Sequence, residues 1–239
     1  MPIVLLLLVS AAAAQAPADF EVASIRPHAG GNVGGSNTKV SPGGRLTATN
    51  VTVRKMIRNA FDVEDFQISG APRWIDSVSY DIEARTTGGV ETTRDDISRL
   101  LLSLLQERFQ LRYHRITKKL TEYALEAMKN GPKPKPHKGD GEPFTNTTAT
   151  AGTVTLKANK ITMEDFAYSL RRELGRPVID RTGLTGEFDF DLTWSSGQVA
   201  DTNEPSVFTA LQKLGFRLVS MKGPVDMIVI DGVEKASEN

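Results

Sequence analysis

Apolar positions recur at two spacings along this chain, and their order repeats. From Val53 the apolar residues fall at Val53, Met56, Ile57, Ala60 and Phe61, one stripe at helical spacing, and Thr52 stands where an N-cap belongs. From Met163 the stripe returns as Met163, Phe166, Ala167, Leu170 and Leu174, behind Thr162 with Asp165 three residues on, an acidic capping box. Strict alternation marks two half-buried strands. Val78, Tyr80, Ile82 and Ala84 oppose Ser79, Asp81, Glu83 and Arg85, and Phe188, Phe190 and Leu192 oppose Asp189 and Asp191.

Around these anchors the same order is written twice. "LTATNVTV" from Leu46 falls on "LKANKITM" from Leu156, at an offset of 110 residues. At that offset "SYDIEA" from Ser79 falls on "DFDLTW" from Asp189, and "LLQERFQL" matches "LQKLGFRL" with a small shift. Each copy reads strand, helix, short strand, Gly-rich turn, alternating strand, second helix, then two closing strands. The second helices have the stripes Ile97, Leu100, Leu101, Leu104, Leu105 and Val207, Ala210, Leu211, Leu214. Thr93, Asp95 and Asp96 begin the first of them, and Pro205 lies near the start of the second. The closing strands are expected at 111–116 and 123–127, then at 217–221 and 226–230, with Pro224 in the last turn.

The pattern predicts an α+β protein of two tandem similar lobes, each with two helices packed on small sheets. The expected limits are 17–128 for the first lobe, with a leading strand "FEVASIRP" and a Gly-rich loop from His28, and 152–239 for the second. Between them, 129–151 is rich in Lys, Pro and Gly and reads as an exposed linker. Residues 1–16 carry an apolar run from Ile3 to Val9 and an Ala14-Gln15-Ala16 end, the pattern of a signal peptide, with no Lys or Arg before the run. The expected location is periplasmic or extracellular, with no stable membrane span after cleavage.

Composition narrows the chemistry. Lys+Arg and Asp+Glu are both 29, so no global field recruits nucleic acid. There are no cysteines, which excludes disulfides, thiolate metal sites and Cys nucleophiles. The three histidines, His28, His114 and His137, are not spaced as metal ligands, and no HExxH or G-x-S-x-G occurs. "SNTK" from Ser36 matches S-x-x-K but reads as part of the Gly-rich loop. No metal or cofactor is expected.

Candidate binding residues are Asp180, Arg181, Asp189 and Asp191, within "GRPVIDRTGLTGEFDFDLTW". Asp180 and Arg181 end a short strand, where a turn hydrogen bond is the structural expectation. Asp189 and Asp191 take the polar phase of their strand, so a solvent-facing role is expected. Paired strand carboxylates could also bind Ca²⁺ or act as acid and base.

The blocks "FEVASIRP", "GAPRWIDS", "YDIEA", "LLQERFQLRYH", "NGPKPKP", "GRPVIDRTGLTGEFDFDLTW" and "VIDGVEKASEN" resemble a secreted soil-bacterial, chiefly acidobacterial, family known as domain of unknown function 3738. The resemblance spans nearly the whole chain after the leader. It implies no established activity. Relatives that look fused to a membrane metallopeptidase of the antibiotic-sensor type imply a sensory role. The second half is also similar in pattern to the short N-terminal domain of secretins and TonB-dependent transducers, which implies protein contact at the outer envelope. The expected function is an exported, non-enzymatic binding or interaction module, whose partner is another envelope protein or an extracellular ligand. The alternative is a cryptic hydrolase or Ca²⁺-dependent carbohydrate-active protein using strand carboxylates.

Overall fold

The structure is a computed structural model that describes residues 20–30, 35–41, 44–86, 94–131, 134–197 and 204–236. The leader at 1–16 and the cap Thr93 lie outside them.

The elements follow the duplicated order. The leading strand β1 (Phe20–Pro27) and β2 (Asn37–Ser41) precede β3 (Arg45–Thr52), α1 (Val53–Phe61), a 3-10 turn at Asp65–Gln67 and β4 (Ile68–Ser69). Next come α2 (Trp74–Ser77), β5 (Ser79–Thr86), α3 (Arg94–Arg108) and β6 (Arg112–Ala127). The second copy has β7 (Lys135–Pro136), β8 (Phe144–Thr150), β9 (Thr153–Ile161), α4 (Met163–Leu174), β10 (Val178–Asp180), β11 (Phe188–Ser195), α5 (Val207–Lys213) and β12 (Phe216–Gly232). The α+β class is as the pattern predicts.

Periodicity became burial where it was strongest. All five stripe residues of α1 are buried, and Thr52 Oγ1 accepts from the Lys55 amide at 3.2 Å. Helix α4 buries Met163, Phe166, Ala167 and Leu170, and Thr162 and Asp165 form the reciprocal capping box. Tyr80, Ile82 and Ala84 of β5 and Phe188, Phe190, Leu192 and Trp194 of β11 all enter a core.

The chain divides into two compact units along lines other than the tandem lobes. One unit holds residues up to Val63, Ala71–Arg112 and those from Ile230 onward; the other holds Glu64–Gly70 and Tyr113–Val229. The first unit contains an antiparallel sheet in the order β1-β5-β3-β2. The second contains the antiparallel sheet β7-β11-β9-β8 and a sheet β10-β6-β12-β4. In that last sheet each short strand pairs, in parallel, with the long strand of the other sequence copy: β4 with β12 and β10 with β6. The tandem limits missed this because β4 and β10 are too short to have a period of their own.

Three other sequence expectations need correction. The stretch 129–151 contributes β7 and β8 rather than serving only as a linker. The Gly-rich loop contains β2, so Asn37, Thr38 and Lys39 of "SNTK" lie in a strand paired with β3. Each pair of closing strands is one continuous strand, β6 or β12, and Pro224 lies inside β12 with no turn there. Proline's fixed φ lies within the extended region, so Pro224 can continue a strand when its missing N–H is not needed.

Candidate functional site

A β-bulge recurs in each of the two antiparallel sheets. In the first, Ala48 pairs with Ile82 and Val51 with Tyr80, so Thr49 and Asn50 stand opposite Asp81 alone. In the second, Ala158 pairs with Phe190 and Ile161 with Phe188, so Asn159 and Lys160 oppose Asp189 alone. Asn50 and Lys160 both take left-handed backbone, with φ of 53° and 54°. A bulged residue loses its ladder partner, and an amide left without one is costly. The facing carboxylate supplies the acceptor: the Asn50 amide donates to Asp81 Oδ1 at 2.9 Å, and the Lys160 amide to Asp189 Oδ1 at 3.1 Å.

A histidine closes each arrangement. His28 follows β1 and its Nδ1 lies 2.8 Å from Asp81 Oδ1; His137 follows β7 and its Nδ1 lies 2.8 Å from Asp189 Oδ1. Their backbone amides bond the carbonyls of Ser79 and Glu187, at 2.9 and 2.8 Å. Each histidine belongs to a P-H-x-G sequence, Pro27 to Gly30 and Pro136 to Gly139, whose glycines have φ of 108° and 120°. Only glycine adopts that backbone readily, so the chain can turn away once the imidazole is seated. The two halves thus share one clip: edge strand, histidine, strand carboxylate, bulge amide.

The clip corrects the expected alignment. Structurally, Tyr80-Asp81-Ile82 corresponds to Phe188-Asp189-Phe190, two residues away from the offset of 110 that matches β3 to β9. It also corrects the reading of Asp189. That side chain takes the outward phase but is not merely solvated, because it bonds His137 and the Lys160 amide. The repeated P-H-x-G was the sequence signal for these groups; a search for histidines near one another in sequence passes over it.

Electrostatics follow the geometry. Burial alone would raise the Asp81 carboxyl, but the Asn50 amide and then His28 outweigh it and hold the group below its ordinary range. The Lys160 amide, then the His137 hydrogen bond, lower Asp189 against a smaller opposing effect of burial. A carboxyl depressed in the folded state stabilises the fold above its unfolded pKa, about 3.9, and loses that contribution as pH falls through the folded value. Urea midpoints of the wild type are therefore expected to fall more steeply below about pH 4 than those of the Asp81→Asn, Asp189→Asn double variant. Parallel pH dependence of the two proteins would contradict the clip.

The remaining candidates fall elsewhere. Asp180 Oδ1 accepts from the Thr182 amide at 2.8 Å, and the Arg181 amide donates to the Leu125 carbonyl at 2.9 Å, so both serve the end of β10. Asp191 is exposed and 3.8 Å from Lys157. Glu83 lies 3.3 Å from Arg45, so the carboxylates on both strand faces are already engaged within the protein. His114 lies on β6. Among the described residues no group of three or more His, Asp or Glu is placed to hold a metal ion.

The halves differ at one edge. Along β5, residues Asp81, Glu83 and Arg85 face Arg26, Ser24 and Val22 of β1. Along β11, strand β7 reaches only Phe188 and Asp189. The Ser195 amide is taken up by the Pro205 carbonyl at 2.8 Å. Alternation in an antiparallel ladder turns the N–H and C=O groups of Asp191 and Thr193 toward the same outer side as Ser195. Among the described residues nothing pairs with those groups. A shallow cleft of about 360 Å³ opens beside this gap, lined by Pro134, Lys135, Asp189, Asp191, Lys213 and Leu214. Lys135 helps hold the Asp189 carboxyl low through its charge, and Lys213 is not within ion-pair distance of a carboxylate among the described residues.

Duplicated β-α-β-β-α-β units with a His–carboxylate–bulge clip in each half define the class of scaffold. The chain belongs to the family described as "Protein of unknown function (DUF3738)", which matches residues 54–233. No curated protein and no solved structure matches it. Among the described residues no helix is long and apolar enough to cross a membrane.

Proposed function

We propose that this chain is an exported, non-enzymatic binding module that takes an extended segment of another envelope protein by strand addition at the outer edge of β11. The observation that carries the reading is that, among the described residues, nothing pairs with the outward groups of Asp191 and Thr193, whereas their counterparts in the first half pair with β1. Strand addition draws affinity from main-chain hydrogen bonds and selectivity from flanking pockets. Of the charges lining the cleft, Asp189 is engaged by His137 and Lys135 and Asp191 by Lys157, and Lys213 favours a segment with an acidic side chain. Likeness of the second half to envelope-transducer domains supports a protein partner, and the leader pattern supports export. The partners that Asp81, Glu83, Asp189 and Asp191 have within the protein support this reading over the hydrolytic or Ca²⁺-dependent alternative.

The test uses the chain's own filler strand as probe. A synthetic peptide of the β1 sequence, with Glu in place of its Arg, is titrated into the ¹⁵N-labelled protein. Saturable shifts are expected at the Asp191 and Thr193 amides, weakened by salt and by Lys213→Glu. Absence of shifts at millimolar peptide, or shifts confined to other edges, contradicts the reading. N-terminal sequencing of the protein recovered outside the cytoplasm is expected to begin near Pro17; a chain that still begins at Met1 contradicts export by a cleaved leader.

A further inference from the structure

Strand β8 is the terminal strand of its sheet, and all seven of its residues, "FTNTTAT", are exposed. Among the described residues it pairs on one side only, with β9, from Phe144 opposite Asn159 to Thr150 opposite Thr153. Soluble proteins blunt such edges with lysine, proline, bulges or inward charges, because an open row of amides and carbonyls templates further pairing. Strand β8 has no charged residue, no proline and no break in its register.

The open groups can be assigned. The hairpin joining β8 to β9 turns at Ala151 and Gly152, with φ of 49° and 81°, a two-residue turn with both central residues left-handed. In such a hairpin the flanking residues, Thr150 and Thr153, form a hydrogen-bonded pair. Alternation then directs Thr148, Asn146 and Phe144 inward to β9, and Ala149, Thr147 and Thr145 outward. The second interface of β9 agrees with this phase, since the Ser196 amide meets the Gly152 carbonyl at 2.8 Å.

We propose that β8 is the seam of a homodimer, two copies pairing antiparallel about Thr147. In that register the outward residues meet in bonded pairs, Thr145 with Ala149, Thr147 with its own counterpart, and Ala149 with Thr145, giving about six main-chain hydrogen bonds. The two sheets join as one. Every cross-strand pair is neutral, so self-pairing places no like charges opposite each other. A two-fold axis through Thr147 makes the contact isologous and closed, so it ends at two copies. The seam is one strand wide and falls below the ~1,200 Å² of standard interfaces, which sets its affinity at micromolar or weaker. It uses a different edge from the one proposed for the envelope segment, so either can fail alone.

Sedimentation velocity of the full chain between about 5 and 500 μM reads the dimer directly. Wild type is expected to shift from monomer to dimer across that range. Thr147→Pro removes an outward amide while leaving the inward bonds to β9, so the hairpin survives and the dimer is lost. Thr147→Lys places two ammonium groups across the axis and is expected to be monomeric, as is Thr147→Asp, while an equimolar mixture of the two associates again. Wild type that stays monomeric throughout overturns the proposal, and so does a Thr147→Lys, Thr147→Asp mixture no more associated than either variant alone. Strand capture from an unrelated protein with no self-association would also overturn it.

Discussion

Phe190→Ala is expected to cost the second unit about 3–5 kcal/mol, the range for removing a buried aromatic ring. Phe190 is 5% exposed and stacks on Phe166 with centroids 4.0 Å apart and planes 9° from parallel. Phe216 and Phe188 lie 6.2 Å from it on other sides, so the ring bridges α4, β11 and β12. Removing it loses transfer energy and leaves a cavity that three neighbouring rings cannot collapse to fill. The adjacent residue provides the contrast. The Asp191 and Lys157 side chains are 69% and 64% exposed, so Asp191→Asn should shift stability by less than about 0.5 kcal/mol. Urea titrations of the two variants decide the facing of β11. A larger loss in the Asn variant would contradict it.

Deleting Lys160 is the second large effect, and its cause is register rather than packing. The bulge at Asn159 and Lys160 sets the phase in which Val154, Leu156 and Ala158, 2%, 0% and 5% exposed, face the core. Removing one residue either turns that set outward or breaks the pairing with β11, because a one-residue slip inverts every side chain of a strand. The loss should exceed about 4 kcal/mol, the range reserved for such mechanisms. Lys160→Gly keeps the two-on-one count, the amide to Asp189 and the left-handed backbone, so it should stay within about 1 kcal/mol of wild type. Deletion and glycine variants of equal stability, measured by denaturant midpoint, would remove the bulge from its structural role.

The helices and the alternating strands were legible in the sequence because period is a direct record of burial. The α1 stripe, the Thr162 capping box and the core faces of β5 and β11 were all read from spacing alone. What escaped lacked a period. Strand β8 is exposed on both faces, so "FTNTTAT" has no alternation to display. The middle of β6, at Thr117, Lys118 and Lys119, is exposed throughout, so one long strand reads as two. The equivalence of Asp81 and Asp189 was obscured for a subtler reason. Slipping one strand by two residues preserves its alternation, so the pattern could not distinguish the structural alignment from its neighbour. Of the candidate residues, only Asp189 and Asp191 border the cleft; Asp180 and Arg181 secure a strand end. The histidine partners were recoverable from the repeated P-H-x-G, which fixes them by homology of position rather than by periodicity.

The most direct measurement is amide hydrogen exchange read residue by residue in the free protein. One scaffold built twice, closed by β1 in the first half and, among the described residues, without a partner at Asp191 and Thr193 in the second, predicts opposite behaviour at equivalent positions. The Glu83 and Arg85 amides, which face β1, should be protected, while those of Asp191 and Thr193 should exchange at least ~100-fold faster under conditions where both units are folded. Equal protection at the two pairs would contradict the open edge, and with it the binding site proposed there.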